Sequence, residues 1–497
     1  MTKTHSTRGP VDFLLTEKRH PGTMIKTLLT FAAVGTLAVG NLGALTVDDA
    51  VKQAREHNLG LETESLKVAQ KADEKNFSFN RLYPSITTNA TALHLNNLNT
   101  TQYAQLWNGI FGTLAKQGKA TYTSYDTVVG SQITDDNNWN LQLGVNVQFL
   151  WGIAAFQGIA QTLIDYDNAV ISRTAATAKL DRDVRKAFYQ LLALHEATGV
   201  LESQLKVAED RYKLAKLNFD AGLGSEMAML QAEVALENRR PAVADQRVNE
   251  ANAQAAFRIL LNIPADTPLN LEGSLAVADQ DRKAASALDA GALVQSRLQN
   301  RWDVASARGA VKSLNSLADL QTDTLLPNLI FGWSADPTVN APFKDSRYQT
   351  WSNYAQSSGN FMVGLGWKLD SLLPGSTTGI QIEGLRRQAA QAEIGVQLAL
   401  RSGEAEIQAL VGKLKKSSTS LEGLSLALNL AQRSSKLTAD SFQAGNSSFN
   451  DAQDADLQLQ TARLQYLNEE LNFTSTLADL DYALAADRNQ WMGASHG

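Results

Sequence analysis

The chain has 497 residues, no cysteine, and 45 basic against 51 acidic side chains, for a formal net charge of −6. The lack of cysteine excludes thiol catalysis, Cys-ligated zinc, disulfides and the lipid-modified cysteine of a lipoprotein, and it fits an oxidising compartment. The mildly acidic balance offers no basic surface for a phosphate backbone, so nucleic acid is not an expected partner.

Residues 1–44 read as a secretory signal peptide. Met24, Ile25 and Lys26 open a short positive segment, an apolar run over 28–39 follows, and small residues lead to cleavage after Gly40 or Ala44. The polar stretch before Met24 is compatible with an upstream mis-start. No later apolar run approaches the roughly 18 to 20 residues of a membrane-spanning helix, so any membrane crossing has to use strands.

Helices beginning with a short amphipathic segment are expected in 45–82, and a strand pair with a long loop in 83–151. The first strand, 85–95, is mostly Thr, Asn and Ala. The second is plainer: Trp139, Leu141, Leu143, Val145, Val147 and Phe149 alternate with Asn140, Gln142, Gly144, Asn146 and Gln148, a period of two at the length of a tilted membrane strand. A helical hairpin follows in 152–263. Its first arm carries a heptad frame of Val184, Ala187, Leu191, Leu194, Thr198, Leu201, Leu205, Ala208, Tyr212, Ala215 and Phe219. Sustained heptads argue coiled-coil packing, and a helix over 152–219 is about 100 Å long at 1.5 Å per residue. Pro241 interrupts the returning arm, where its missing N–H and ring clash predict a bend or break near Arg239 and Arg240.

The same plan then recurs. A linker and further helices fill 264–326, with residues 45–84 aligning without gaps on 288–327. A second strand pair occupies 327–370: Leu329, Phe331 and Trp333 alternate in one strand, and Phe361, Val363, Leu365, Trp367 and Leu369 in the other. A second hairpin occupies 371–488, with the heptad frame Ile407, Leu410, Leu414, Ser417, Leu421, Leu424, Leu428, Ala431, Ser435, Thr438 and Phe442, and 489–497 form a tail. Phe219-Asp220-Ala221-Gly222 matches Phe442-Gln443-Ala444-Gly445, and the same offset carries Ala232 onto Ala455 and Leu236 onto Leu459. The fold class is therefore α+β, mostly α, with an internal two-fold repeat.

Strands that cross a bilayer need every backbone group paired, so a sheet spans only as a closed barrel. Four strands cannot close one, so several copies must share it; two copies give eight strands and three give twelve, and periodicity does not choose. Trp107, Trp139, Trp151, Trp333, Trp351 and Trp367 fall in or beside the strands and loops, as interfacial girdles require. The strands alone equally describe a half-buried soluble sheet, and the long helices decide against it.

The duplicated plan, the strand pairs feeding very long helices and the two hairpin signatures resemble the TolC family of outer-membrane efflux proteins over about residues 45–488. The resemblance implies a homotrimer with a twelve-stranded outer-membrane barrel, a helical barrel crossing the periplasm and a mixed equatorial belt. It also implies a passive duct that hydrolyses nothing and needs no cofactor. A periplasmic adaptor (membrane fusion protein) and an inner-membrane RND, ABC or MFS transporter would open it, in tripartite efflux or type I secretion.

By the same resemblance Asp451 and Asp454 fall on the aspartates that ring the closed periplasmic entrance. The tips to be met by the adaptor carry Phe219, Gly222, Ser225, Phe442, Gly445 and Ser448. A ring of carboxylates selects for cations. Asp451 equally suits a helix N-terminus capped by Ser447, Ser448 or Asn450. The chain departs from the family pattern in placing Ala228 and Gln231 at the matching positions of the first hairpin, and Ser447 where a basic gate residue is expected.

Catalysis has no constellation to stand on. His57, His94 and His195 lie far apart in the pattern, there is no P-loop, dinucleotide fingerprint or nucleophile elbow, and Gly222-Leu223-Gly224 is a hairpin turn. A solvated face is the ordinary explanation for almost all the carboxylates of the heptad helices. A self-sufficient porin would not devote most of its residues to paired heptad helices, and a periplasmic coiled-coil scaffold or adhesin would leave the strands unexplained.

Overall fold

The computed structural model describes residues 44–94, 139–335, 338–340, 359–444 and 446–492. The signal peptide through residue 43, the loops carrying Trp107 and Trp351, Gly445 and residues 493–497 lie outside the described residues.

Two helices open the chain: α1 (Val47–His57) is capped by Thr46, whose hydroxyl accepts from the Asp49 amide, and α2 (Leu59–Asn76) by Asn58, which accepts from the Leu61 amide. Strands β1 (Ser85–His94) and β2 (Trp139–Trp151) lead into α3 (Ile153–Asp220), 68 residues long, which is the helix of about 100 Å that the heptads predict. The chain turns and returns through α4 (Glu226–Glu237) and α5 (Arg239–Leu261). The interruption falls at Asn238, just before the predicted Arg239 and Arg240. Asn238 keeps helical angles (φ −68°, ψ −20°), so the helix continues in the same sense while Pro241 withholds one hydrogen bond.

The second half runs α6 (Asp279–Ala287), α7 (Ala290–Arg297), α8 (Trp302–Asp323), β3 (Asn328–Ala335), β4 (Thr338–Asn340), β5 (Gly359–Gly366), α9 (Thr377–Gln443, 67 residues) and α10 (Phe449–Ala483), closing on α11 (Arg488–Met492). Helix α6 and strand β4 were not expected from sequence. Strand β5 is shorter than its alternation suggests. It stops at Gly366 opposite Asn328, because Pro327 before Asn328 has no N–H to extend the ladder; Leu369 lies in a single 3-10 turn.

The sheet is antiparallel in the order β1-β2-β3-β5, with β4 pairing the far end of β2. Its register decides what each face presents, since residues directly opposite share a face. Ile86, Val147, Trp333 and Phe361 form one row across four strands; Phe149, Phe331 and Val363 form the next; Trp151, Leu329 and Leu365 the third. Trp151 meets Phe331 edge-on at 5.7 Å between ring centroids. The other face carries Thr87, Asn146, Ser334 and Asn360 in one row. Neither face is covered within the chain: on the apolar face Phe361 is 73% exposed and Ile86 and Leu365 are each 65% exposed, and on the other Thr87, Asn146 and Asn360 are exposed too. Among the described residues β1 and β5 each have a free edge.

Every position of both heptad frames is buried or half-buried except Phe219 at the tip. The frame works because a three-four spacing keeps one stripe facing its partner over many turns. The densest packing lies in the belt between the sheet and the hairpin tips. One cluster joins Ala50 and Ala54 of α1, Val184 and Phe188 of α3, and Phe257 and Leu261 of α5; a second joins Ile407 and Leu414 of α9 to Phe473, Leu477 and Leu480 of α10.

In the same belt Trp491 of α11 donates to Asp481 Oδ1 at 2.8 Å. Burial pushes the Asp481 carboxyl up to about 6, with Arg488 and the Trp491 hydrogen bond opposing it. A folded-state value above the ordinary one means that ionisation opposes the docked form. The stabilisation is complete below about 4 and is lost as pH rises toward 6. Hydrogen exchange of α11, corrected for intrinsic rate, is expected to be faster at pH 7.5 than at pH 5. Asp481→Asn should abolish that difference.

Candidate functional site

The hairpin ends are built by paired capping devices. At the first, Gly222 takes φ +74°, its amide donates to Phe219 O at 2.9 Å, and the Leu223 amide donates to Asn218 O at 2.8 Å, which is a Schellman stop. Glycine is needed there because an L side chain is strained at that φ. Ser225 then caps α4 by accepting from the Ala228 amide at 3.2 Å. At the second hairpin the Asn446 amide donates to Ser441 O at 2.9 Å, and Ser448 caps α10. Of the expected tip residues, Phe219, Gly222, Ser225 and Ser448 are exposed, Phe442 is half-buried, and Gly445 lies outside the described residues.

Asp451 closes a capping box. Its amide donates to Ser448 Oγ at 3.1 Å, and its Oδ2 accepts from the Ser448 amide at 3.0 Å and hydroxyl at 2.7 Å. The Ser448 hydroxyl and then its amide hold the Asp451 carboxyl below its ordinary value, so it stays ionised through any neutral or mildly acidic pH. Asp454, one turn further on, is exposed. Asp451 thus acts as a cap through Ser448, one of the three expected partners, while its exposed side chain remains at the tip.

Two features of this end were not found from sequence. Leu223, Met227, Leu230 and Val234 are exposed by 83, 69, 48 and 60% and recur at four-three-four spacing along the first hairpin. They form an open apolar stripe beside a groove of about 580 Å³ between α4 and the start of α10. The spacing was legible; the missing information was that the chain buries only the opposite side of α4.

The second is a polar seam two turns behind the tips, where the two hairpins meet. Arg211 of α3 pairs with Asp456 of α10, and Asp456 Oδ1 accepts from Ser435 of α9 at 2.7 Å. Arg239 of α5 donates to Gln204 Oε1 at 2.7 Å. The exceptions to the solvated heptad-helix carboxylates include Asp456, whose side chain is 19% exposed, and Glu250, which is 13% exposed and accepts from Thr198 at 2.7 Å. A signal lay in two of the polar residues inside the heptad frames, Thr198 and Ser435. Ser435 and Thr198 sit at core positions because each meets a buried carboxylate, which has to be hydrogen-bonded there.

Among the described residues no group of His, Asp and Glu is arranged to hold a metal, and no helix is long and apolar enough to cross a membrane. What the arrangement defines is an elongated protein with an uncovered apolar sheet at one end and capped, partly acidic hairpins at the other.

No protein-family model matches the sequence, and no curated protein matches it. Solved structures do match. The CmeC outer membrane channel of Campylobacter jejuni superposes with a TM-score of 0.66 at 13% identity, over 90% of this chain and 89% of that one. The open state of the MtrE outer membrane channel of Neisseria gonorrhoeae gives 0.64 at 17% identity over 88% and 89%. The outer membrane protein VceC of Vibrio cholerae gives 0.63 at 13% identity over 88% and 96%. The chain has the fold of the TolC-like outer-membrane channels, as the sequence resemblance implied.

Proposed function

We propose that this chain is one subunit of a homotrimeric, non-enzymatic duct in the outer membrane. Three copies each contribute four main strands to a shared barrel, and their two-fold repeated hairpins form a helical barrel in the periplasm. The observation that carries the reading is the sheet: both outer strands have free edges, and its aromatic face is left bare while its other face is mostly Ser, Thr, Asn, Gln and Gly. A water-soluble sheet buries its apolar face, whereas a membrane barrel turns it to lipid. Adjoining helices of about 100 Å then extend the barrel as a tube.

In this reading a periplasmic adaptor meets the hairpin tips at Phe219, Gly222, Ser225, Phe442, Gly445 and Ser448, with the Leu223 to Val234 stripe as its apolar anchor. An inner-membrane RND, ABC or MFS transporter supplies the energy, for efflux or type I secretion. Asp451 and Asp454 from three copies ring the entrance and favour cations.

Planar-bilayer conductance of the purified oligomer tests this. Cation selectivity and block by divalent ions are expected, and Asp451→Asn with Asp454→Asn should remove the block. Ser448→Ala separates gate from cap: it should cost about 1 kcal/mol of local stability while leaving the block intact. A lipid-free, soluble monomer, or a block untouched by the double substitution, would reject the duct or the gate respectively.

A further inference from the structure

The seam behind the tips borders an open cavity of about 290 Å³ between the two hairpins. Its charged lining is unbalanced: Arg211, Arg239 and Arg463 face it with Asp456 as the single carboxylate. Asp456 is already committed to Arg211 and to the Ser435 hydroxyl. The hydrogen-bond partner of Arg239 is the neutral amide of Gln204. Burial lowers the affinity of the Arg239 guanidinium for its proton; Asp456 opposes this and Arg211 adds to it. A partly buried cation without its own counter-charge is costly. Arginine nonetheless keeps its charge, and its planar fork is suited to oxyanions.

We propose that this cavity is a binding site for a small multivalent oxyanion of the size of inorganic phosphate, held by Arg239 and Arg463 with Arg211 as the third cation. The position follows from the local backbone. The interruption at Asn238, enforced by Pro241, sets Arg239 at the start of α5, where it reaches across to α3. Gln453 and Gln460 of α10 line the same space and supply further amide donors. An anion there touches α3, α5 and α10 at once and so binds the two hairpins to each other. By linkage it favours whichever state keeps them together. The site does not depend on the duct reading, because it lies wholly within one chain.

Titration calorimetry of the purified full-length protein in detergent, with inorganic phosphate at constant ionic strength, is the test. Saturable binding is expected, and Arg239→Gln and Arg463→Gln should each weaken it by at least about tenfold, the equivalent of roughly 1.4 kcal/mol. Arg433→Gln, an exposed arginine of α9 away from the cavity, should leave it unchanged. Arg211→Gln is a poorer probe because it strands Asp456. Arg463 is exposed, so its variant will fold whatever happens at Arg239. Bound phosphate should also slow hydrogen exchange of α4. The proposal is overturned if the native chain shows no saturable binding, or if Arg433→Gln weakens binding as much as Arg239→Gln and Arg463→Gln do.

Discussion

Arg301→Ala is expected to destabilise the folded chain by about 3 kcal/mol, the low end of the range for breaking a buried ion pair. Arg301 precedes α8 and its side chain is only 7% exposed. Its guanidinium donates to both Asp303 oxygens at 3.0 and 2.9 Å, to Glu406 of α9 at 2.6 Å and to the carbonyl of Ala483, the last residue of α10, at 3.2 Å. One side chain thus joins three helices of the belt. The estimate stays low because Asp303 and Glu406 are 44 and 48% exposed and can recover water, whereas the Ala483 carbonyl, in a residue 1% exposed, cannot. Gly403 leaves the room for Arg301, since a Cβ there would lie 2.7 Å from Nε. Arg301→Lys should recover part of the loss through charge alone, because a lysine cannot make the forked contact. Denaturant titration of the three proteins checks the order. Equal stability of the native chain and Arg301→Ala would show that the belt does not rest on this residue.

The parts of the fold legible in the sequence are those with a period. Strand β2 was readable because apolar and polar residues alternate along it, and the arms α3 and α9 because their heptad frames are buried or half-buried almost throughout, so the spacing of Val184, Leu191 and Thr198, or of Ile407, Leu414 and Leu421, reports geometry directly. Strand β5 was overextended because Trp367 and Leu369 continue its alternation while the hydrogen-bonding partner had already run out at Asn328. Alternation records which face a side chain takes; it carries no information about where the ladder ends. The seam was invisible for a related reason. Arg211, Arg239 and Asp456 lie far apart in sequence on helices with many other charges, and only the packing of α3, α5 and α10 separates them from solvated neighbours such as Asp210 and Arg240. At the tip, the capping role of Asp451 was readable because Ser448 and Asp451 have the spacing of a capping box.

The largest effect on assembly is expected from Val363→Arg. Val363 lies in the middle of β5 in the row of Phe149 and Phe331, and it is 59% exposed on the apolar face. If that face meets lipid, an arginine near the bilayer midplane costs about 2–4 kcal/mol per copy, falling toward zero near the interfaces. Three copies around one barrel multiply the penalty at a single depth, so the barrel should fail to assemble even though the helical hairpins fold. Met362→Arg is the paired control. It occupies the next position on the same strand, opposite Gly332, and a one-residue step in a strand reverses the face. The added charge would then point to the polar side, where water solvates it, and insertion should be nearly normal. Recovery of folded oligomer in lipid vesicles, compared between the two variants, reads the difference. Were the sheet instead an exposed surface of a soluble scaffold, Val363→Arg would be tolerated as well as Met362→Arg, because a solvated arginine replaces a solvated valine at little cost. An unequal response thus separates lipid from water as the neighbour of Phe361, Val363 and Leu365.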